Sequence, residues 1–215
     1  MYIPQHFAET ERGVVHGLID AHPLGAWVTV GERGLEVNHI PFLVEPDRGE
    51  FGTLVGHMAK ANSAWRCASQ TVMSVVIFQG PEAYISPSWY LSKQQDGKVV
   101  PTWNYAVVHA HGVPRFIHDK PWLLDLVGRL TTKHEAGQGS PWSVSDAPAE
   151  FIDKLLEAIV GIEIPIARLE GKWKMSQNRP LDVSGVIVGL RDNVDPEAAA
   201  LARVMEDRTN SRRIT

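Results

Sequence analysis

A high density of short strand-like segments is the feature that most constrains the fold of this chain. Stretches in its first half combine β-branched and aromatic residues, and glycine- or proline-containing turns separate them at regular intervals. The predicted strands cover residues 26–30, 35–43, 51–56, 71–78 and 102–111. Such spacing favours an antiparallel barrel or sandwich over a fold in which strands and helices alternate.

Turn residues and acidic residues predict where the elements of the first half begin and end. A first helix is expected to start near residues 9–11, where acidic side chains oppose the helix dipole. A turn is predicted at residues 32–34 and a short helix at residues 61–68. Gly80-Pro81 is predicted to end the strand that precedes it, because proline cannot donate to a strand ladder.

The second half of the chain is richer in helix. Apolar stripes predict helices at residues 121–133, 148–160, 182–190 and 196–205. The strand predicted around Ile162 is expected to be half-exposed and at an edge or bulge, because Glu163 and Pro165 alternate with isoleucines. The predicted fold class is therefore mainly β with helices (α+β). Residues 1–190 are expected to form one domain, and residues 191–215 a C-terminal helix and tail.

Composition and charge make nucleic acid and membranes unfavourable as binding partners. The net charge of −4 gives no overall attraction to nucleic acid or anionic lipid, and no apolar run is long enough to span a membrane. Cys67 is the single cysteine, which excludes an intramolecular disulfide and is typical of a reducing compartment. We therefore expect a cytoplasmic protein with no membrane association. Direct DNA binding is not expected, because the sequence offers no basic recognition helix.

The segment GHMAKAN (residues 56–62) leaves a predicted strand and enters a predicted helix. Backbone N–H groups at a helix start, together with Lys60 and Asn62, suit an anion such as a phosphate. The alternative is that Asn62 is only an N-cap and Lys60 only a solvated charge.

Two further segments combine aromatic rings with polar groups. Tyr84, Trp89 and Tyr90 present flat faces with polar tips, which can wall an aromatic ligand or close a dimer interface. In the strand predicted at residues 102–111, Asn104 needs a hydrogen-bond partner if it lies on a barrel wall. A flavin ring edge and a neighbouring loop carbonyl are equally suitable partners.

The segment KWKMSQNR (residues 172–179) concentrates cationic, hydroxyl and amide groups. This donor set suits a phosphate or a ribityl chain, although mixed polar loops are common on protein surfaces. By itself the segment is a weak indication of a binding site.

No metal site and no catalytic residue are predicted. His109 and His111 have a spacing that could ligate a metal, but no third ligand with suitable spacing stands out. His57 is the candidate axial ligand if the protein holds haem. The sequence also contains no phosphate-binding P-loop, dinucleotide-binding glycine motif or nucleophile elbow.

Taken in order, these segments resemble the PaiB family, which is described as FMN-binding negative transcriptional regulators. The resemblance rests on MYIPQHF (1–7), GHMAKAN (56–62), FQGPEAYISPSWY (78–90), VPTWNYAVVHAHG (100–112) and KWKMSQNRP (172–180). It runs from Met1 to about Leu190. It implies an FMN-binding split β-barrel related to the pyridoxamine-phosphate oxidases, and a homodimer that holds FMN between its subunits.

The resemblance also implies a cofactor site and an activity. The cofactor-binding residues that it implies are His57, Lys60, Asn62, Trp103, Asn104, Lys174, Ser176, Gln177 and Asn178. Haem is the alternative cofactor, because PaiB-like proteins include haem-dependent piperazate synthases and a fold does not settle its cofactor. The leading activity is that of a flavin-dependent oxidoreductase acting on an unidentified small molecule. We expect any effect on transcription to be indirect, because the sequence shows neither a DNA-reading helix nor a basic face.

Overall fold

The structure, a computed structural model, describes residues 1–31 and 34–211. Glu32 and Arg33 of the predicted turn, and residues 212–215 of the predicted tail, lie outside the described residues. The strands are β1 (Ala8–Glu9), β2 (Leu24–Gly31), β3 (Gly34–Glu45), β4 (Thr53–Ala59), β5 (Ser74–Ile85), β6 (Thr102–Gly112), β7 (Arg115–Ile117), β8 (Ile159–Pro165) and β9 (Arg168–Lys174). The helices are α1 (Arg12–Ala21), α2 (Ala64–Cys67), α3 (Lys93–Asp96), α4 (Lys120–Glu135), α5 (Ala149–Glu157), α6 (Val183–Arg191) and α7 (Pro196–Ser211). The α+β fold class predicted from the sequence is confirmed.

The described residues divide into two compact units. Unit 1 consists of Met1–Val15, Gln79–Val108 and the described part of Glu170–Thr215, and unit 2 consists of His16–Phe78 and His109–Leu169. Strands β5 and β6 each pass from one unit into the other. The predicted boundary at residue 190 stays a prediction, and α7, which follows it, is counted with unit 1.

Unit 2 is built on an antiparallel sheet in which neighbouring strands run in the order β5-β2-β3-β4-β8-β7. Its core holds fully buried aromatic side chains, and the rings of Phe42 and Phe78 meet edge to face with centroids 6.1 Å apart. Helix α4 packs on this sheet because Leu126 and Leu130 form a buried cluster with Val55 of β4. Leu126 and Leu130 are four residues apart and therefore lie on the same face of the helix, as this contact requires.

Unit 1 contains strands in the order β1-β9-β6-β5, together with α6 and α7. In this unit, α6 packs against Trp89 at two glycines. A Cβ atom added to Gly189 would lie 2.3 Å from Cδ2 of Trp89, and one added to Gly185 would lie 2.2 Å from its carbonyl oxygen. The absence of side chains at these positions therefore permits the contact. No helix among the described residues is both long and apolar enough to cross a membrane.

Three local predictions differ from the structure. The first helix begins at Arg12, because Ala8–Glu9 pairs with β9 as strand β1. The helix predicted at residues 61–68 is limited to Ala64–Cys67. Gly80-Pro81 does not end the strand, since β5 continues to Ile85. The pairing of β5 with β2 covers Val75–Ile77, so Pro81 lies beyond it.

The strand around Ile162 is also different from the prediction of a half-exposed edge. Strand β8 lies between β4 and β7 and is largely buried, including Glu163. The carboxylate of Glu163 can be buried because Arg48 pairs with it at 2.7 Å. Glu163 in the middle of this strand therefore indicated an ion pair with a partly exposed arginine and not exposure of the strand.

Candidate functional site

A polar recess of about 210 Å³ lies in unit 1 beside β6, β9 and the loop that follows β9. Its lining residues are Tyr90, Val100, Pro101, Thr102, Asn104, Lys174, Ser176, Asn178 and Arg179. Four residues predicted from the sequence therefore come together here: Asn104, Lys174, Ser176 and Asn178. The volume is below the roughly 300 Å³ at which drug-sized ligand pockets begin, so the recess can hold small polar groups but not a whole flavin mononucleotide.

Lys174 provides a cationic group to this recess. Its Nζ donates hydrogen bonds to Oγ1 of Thr102 and to the carbonyl oxygen of Trp103. Burial, and then the charge of Lys172, lower the pKa of Lys174 below its ordinary value. Both causes disfavour the ammonium form of Lys174. A negatively charged ligand oxygen beside its Nζ would favour the ammonium form.

Asn104 is fully buried, and one of its polar atoms lacks a partner. Its Nδ2 donates to Oγ of Ser176 at 2.9 Å and lies 3.8 Å from Sδ of Met205. Its Oδ1 is buried and makes no hydrogen bond to any described residue. An unsatisfied buried acceptor costs about 1–3 kcal/mol. A ligand N–H or O–H group would remove that cost.

Ser176 is held in an unusual backbone conformation beside Asn104. It has a φ of 60°, and it is the one non-glycine residue with positive φ among residues 1–31 and 34–211. Its side chain is buried, and its hydroxyl is the partner that the Asn104 amide needs. Strained backbone of this kind is often retained at binding sites, where the geometry of a donor set has to be fixed.

Two other predicted residues of unit 1 do not line this recess. Gln177 folds back on its own loop, accepting from the backbone N–H of Met175 at 2.6 Å and donating to the carbonyl of Trp173. It lines a separate pocket of about 270 Å³. The side chain of Trp103 is 53% exposed, and its ring lies 6.3 Å from that of Tyr84. These two rings form an exposed aromatic pair that could contact a planar ligand or a second protein surface.

The recess also contains two residues that were not among those predicted to bind the cofactor, Tyr90 and Arg179. The guanidinium of Arg179 stacks on the buried ring of Tyr90, 5.3 Å from its centroid. Asp182 lies next to this pair and accepts hydrogen bonds from the backbone N–H and the hydroxyl of Ser92, both at 2.8 Å. Arg179 ends the donor-rich segment 172–179 and Tyr90 ends an aromatic one, so both had a sequence signal. Asp182 had none.

His57 belongs to unit 2, in β4 opposite Gly161 of β8. The imidazole is partly buried, and its Nδ1 has no hydrogen-bond partner among the described residues. Burial lowers the pKa of His57, which favours the neutral imidazole. A neutral imidazole is the form that binds a metal ion or a haem iron.

Lys60 and Asn62, also in unit 2, already have partners within the chain. The Nζ of Lys60 donates to the carbonyl of Glu157 at 2.7 Å, at the C-terminal end of α5. The Oδ1 of Asn62 accepts from the backbone N–H of Ala64 at 2.9 Å, and its Nδ2 donates to Asn38 at 2.7 Å. Asn62 is not the N-cap of α2, which is Ser63, but its Oδ1 makes a local turn contact with the backbone N–H of Ala64. A role for either residue in binding a cofactor stays a prediction.

One face of the hairpin formed by β2 and β3 in unit 2 is apolar and exposed. Val28 pairs with Val37 and Val30 pairs with Leu35, so these side chains share one face. The exposed fractions are 57% for Val37 and 74% for Leu35. We call the group Leu24, Val28, Val30, Leu35 and Val37 the hairpin apolar face. Contiguous apolar surface of this kind marks interaction sites in soluble proteins. The exposure of this face was not predicted from the sequence.

Comparisons with known proteins relate the chain to flavin-binding proteins. A family model described as "Putative FMN-binding domain" matches residues 1–168, which include Asn104 and His57 but end before Lys174. The chain is 31% identical over 209 residues to "Protease synthase and sporulation protein PAI 2" of Bacillus subtilis (strain 168), covering 97% of this chain and 98% of that protein.

Two solved structures share the fold. The flavocytochrome Anf3 from Azotobacter vinelandii matches with a TM-score of 0.60 at 15% identity, over 80% of this chain and 72% of that chain. The FAD and haem binding protein from Mycobacterium smegmatis matches with a TM-score of 0.56 at 16% identity, over 78% of this chain and 73% of that chain. At such identities the likeness concerns the fold alone, and it confirms the split-barrel fold expected from the sequence.

Proposed function

The chain belongs to the family of FMN-binding domains defined by the matching model, and from that premise we propose that it binds FMN and acts as a flavin-dependent redox protein. The observation that carries the proposal is the recess of unit 1, in which the unpartnered Oδ1 of Asn104 accompanies the cationic Lys174. A ligand for this recess must donate one hydrogen bond and accept others. The polar parts of FMN do both, because its ring N–H and ribityl hydroxyls donate while its ring carbonyls and phosphate accept.

Four residues of the recess have a definite part in this proposal. Asn104 would accept a hydrogen bond through Oδ1, and Lys174 and the exposed Asn178 would donate to ligand oxygens. Ser176 fixes the orientation of the Asn104 amide through its hydroxyl. When bound, FMN supplies one- and two-electron transfer, and the protein residues bind and orient it.

A homodimer is the second part of the proposal. The recess is too small for a whole flavin mononucleotide, so other surfaces have to complete the site. The hairpin apolar face of unit 2 favours a second copy of the chain as the source of such surfaces. A stable interface buries roughly 1,200–2,000 Å² in total, and contiguous apolar residues usually form its centre. Sedimentation at micromolar concentration should give a dimer, and a stable monomer would contradict this part of the proposal.

An absorption spectrum of the freshly purified protein tests the flavin proposal directly. We expect flavin bands in the visible range, release of FMN on heating, and restoration of the spectrum by added FMN. Titration of the apoprotein with FMN should quench flavin fluorescence until the site is saturated. A colourless protein whose titration with FMN shows no binding would rule the proposal out.

Haem is a second candidate cofactor, and His57 is the observation that favours it. Its neutral, partly buried imidazole with an unpartnered Nδ1 has the properties of an axial ligand. Two proteins with the same fold are described as a flavocytochrome and as an FAD and haem binding protein. A Soret band in the wild type that is lost in His57→Ala would support this candidate. An unchanged Soret band in the variant would eliminate His57 as the ligand.

Direct binding to DNA is not part of the proposed function, and an indirect effect on transcription stays a prediction. The net charge of −4 opposes a general attraction to phosphates. Gel-shift measurements at physiological salt should show no dependence on promoter sequence. Specific retardation of one promoter would show that the expectation of indirect regulation is wrong.

A further inference from the structure

Arg179 lines the same recess as Lys174 but is held in a different way. Its guanidinium carbon lies 5.3 Å from the centroid of the Tyr90 ring, within the range of a cation–π contact. The Tyr90 side chain is only 3% exposed, so the guanidinium rests on a fixed aromatic surface. The side chain of Arg179 itself is 34% exposed and therefore reaches solvent. Arg179 is thus positioned in advance, at a place that a small molecule can reach.

Asp182 is the carboxylate that the structure places beside Arg179, and it is mainly engaged elsewhere. Its Oδ2 lies 3.5 Å from Nη1 of Arg179, at the outer limit of a hydrogen bond. Both of its oxygens accept hydrogen bonds from Ser92 at 2.8 Å. A guanidinium has five N–H donors arranged in a planar fork. The contact with Asp182 therefore leaves part of this fork available for another acceptor.

The two cationic side chains of the recess, Lys174 and Arg179, therefore differ in how many of their N–H donors already have partners within the protein. Lys174 donates to a hydroxyl and a backbone carbonyl at the start of β6, whereas Arg179 is held by a ring and by one long contact to a carboxylate. Tyr90 also lines the recess, and its phenol is protonated at neutral pH and can donate a hydrogen bond. A planar fork on an aromatic floor with a nearby hydroxyl suits a carboxylate or a phosphate group.

We propose that Arg179, stacked on Tyr90, binds the carboxylate or phosphate of a second small molecule, the redox substrate, while Lys174 and Asn104 bind the flavin. This inference rests on the proposed flavin site and names the class of its substrate, a small anionic molecule. Tyr90 and Arg179 then determine specificity, because a substrate without an anionic group would leave the guanidinium without an acceptor.

Anion titrations of the full-length, FMN-loaded protein test the inference. Sodium phosphate and sodium acetate serve as probes at constant ionic strength, and binding is followed by flavin absorbance and by intrinsic fluorescence. Arg179→Gln should weaken binding of the preferred anion about tenfold or more, because it removes charge-assisted hydrogen bonds, with less than about a threefold change in FMN affinity. Lys174→Gln should instead weaken FMN binding about tenfold or more and change the affinity for the anion by less than about threefold. The preference between phosphate and acetate identifies the anionic group of the substrate.

Two further variants test whether a change in anion binding comes from the guanidinium of Arg179 and not from the loss of any positive charge. Arg179→Lys keeps the charge and loses the planar fork, so its anion affinity should lie between those of the wild type and Arg179→Gln. Arg191→Gln is the matched control, since Arg191 is an exposed arginine on α6 that pairs with Glu206 at 2.7 Å. It should leave both affinities unchanged. Thermal melting of each variant shows whether it is folded.

Three results would overturn the inference. The first is that neither anion binds the FMN-loaded wild type, and the second is that Arg179→Gln binds phosphate and acetate as the wild type does. The third is that phosphate competes with FMN and Arg179→Gln weakens both equally, which would mean that one anion site serves the flavin. A wild type that binds no FMN would instead remove the proposed function, and this inference with it.

Discussion

At the scale of single residues, several polar side chains occupy positions that are unfavourable unless something binds there. The Oδ1 of Asn104 and the Nδ1 of His57 are buried without partners among the described residues. Ser176 adopts positive φ without being glycine. Each of these features costs on the order of 1–3 kcal/mol. We infer that these positions are retained for ligand contact and not for stability.

Asn104 allows this inference to be tested. Asn104→Leu removes the buried, unpartnered Oδ1 but also breaks the hydrogen bond from Nδ2 to Ser176, so the two effects oppose each other and the free energy of unfolding should change by less than about 2 kcal/mol. The free energy of FMN binding should become less favourable by about 1–3 kcal/mol, because the flavin loses the hydrogen-bond acceptor that Oδ1 provides. Urea denaturation and FMN titration measure the two quantities. Asn210→Ala, at an exposed asparagine of α7 in the same unit, should leave FMN affinity unchanged and alter the free energy of unfolding by less than about 1 kcal/mol. A variant with wild-type FMN affinity would exclude Asn104 from the site.

His57 predicts a dependence of stability on pH. Burial lowers its pKa in the folded state below the ordinary value of 6.5, so between these two values the unfolded chain binds more protons. The stability that neutral His57 contributes is therefore present above pH 6.5 and is lost as the pH falls from 6.5 towards the folded pKa. His57→Gln should show a shallower acid decline in the urea midpoint than the wild type. His134→Gln, at an exposed histidine, should keep the wild-type slope, and parallel curves for His57→Gln would contradict the prediction.

At the scale of elements, close approach between α6 and the segment containing Trp89 depends on glycine. Gly185 and Gly189 both face Trp89, where a Cβ would lie well inside van der Waals distance. In contrast, a Cβ on Gly128 of α4 would meet no atom within 4 Å. Glycine normally weakens a helix relative to alanine, so its presence in α6 is explained by packing and its presence in α4 is not.

The same substitution at two helical glycines should therefore have opposite effects. Gly189→Ala should reduce the free energy of unfolding by about 1–3 kcal/mol through overpacking against Trp89. Gly128→Ala should increase it by up to about 1 kcal/mol, because alanine favours helix and the site is open. Chemical denaturation with fixed buffer and cofactor content measures both. Stabilisation by Gly189→Ala would mean that the Trp89 contact is not tight.

Sequence patterns predicted most of the helices and strands but not which strands lie next to each other in the sheet. Strands β2 and β3 and helices α4, α6 and α7 follow from β-branched runs and apolar stripes, which are local properties. The continuation of β5 past Pro81 and the buried position of β8 depend on which strands lie alongside. In β8, the exposure of Glu163 was mispredicted because its partner Arg48 is distant in sequence. No periodicity within a segment can reveal such a partner.

At the scale of the whole molecule, the predicted cofactor residues fall into two groups. Asn104, Lys174, Ser176 and Asn178 share one recess in unit 1, as their polar segments suggested. His57, Lys60 and Asn62 lie in unit 2. The sequence could show that these segments are rich in donors. It could not show that Lys60 donates a hydrogen bond to Glu157 at the end of α5, or that Arg179 lies over the ring of Tyr90. Both contacts join residues that are far apart in the chain.

Dimer formation through the hairpin apolar face is the prediction at this scale. Val37→Glu places a charge at the centre of this face and should convert the dimer to a monomer, because burying an unpaired carboxylate is unfavourable. The monomer should stay folded, since Val37 is 57% exposed in one chain. Val188→Glu, at a valine that is 56% exposed on α6, is the matched control and should stay dimeric. Sedimentation velocity measures both, and a dimeric Val37→Glu would place the interface elsewhere.

The interleaved course of the chain limits how this protein can be divided. Unit 1 draws on three separate stretches and unit 2 on two, and β5 and β6 each contribute to both. A gene fragment ending at residue 168 would lack β9, α6 and α7, and so the third stretch of unit 1. Neither unit can therefore be exchanged between genes as a contiguous cassette. Both units must be encoded together and inherited as one piece.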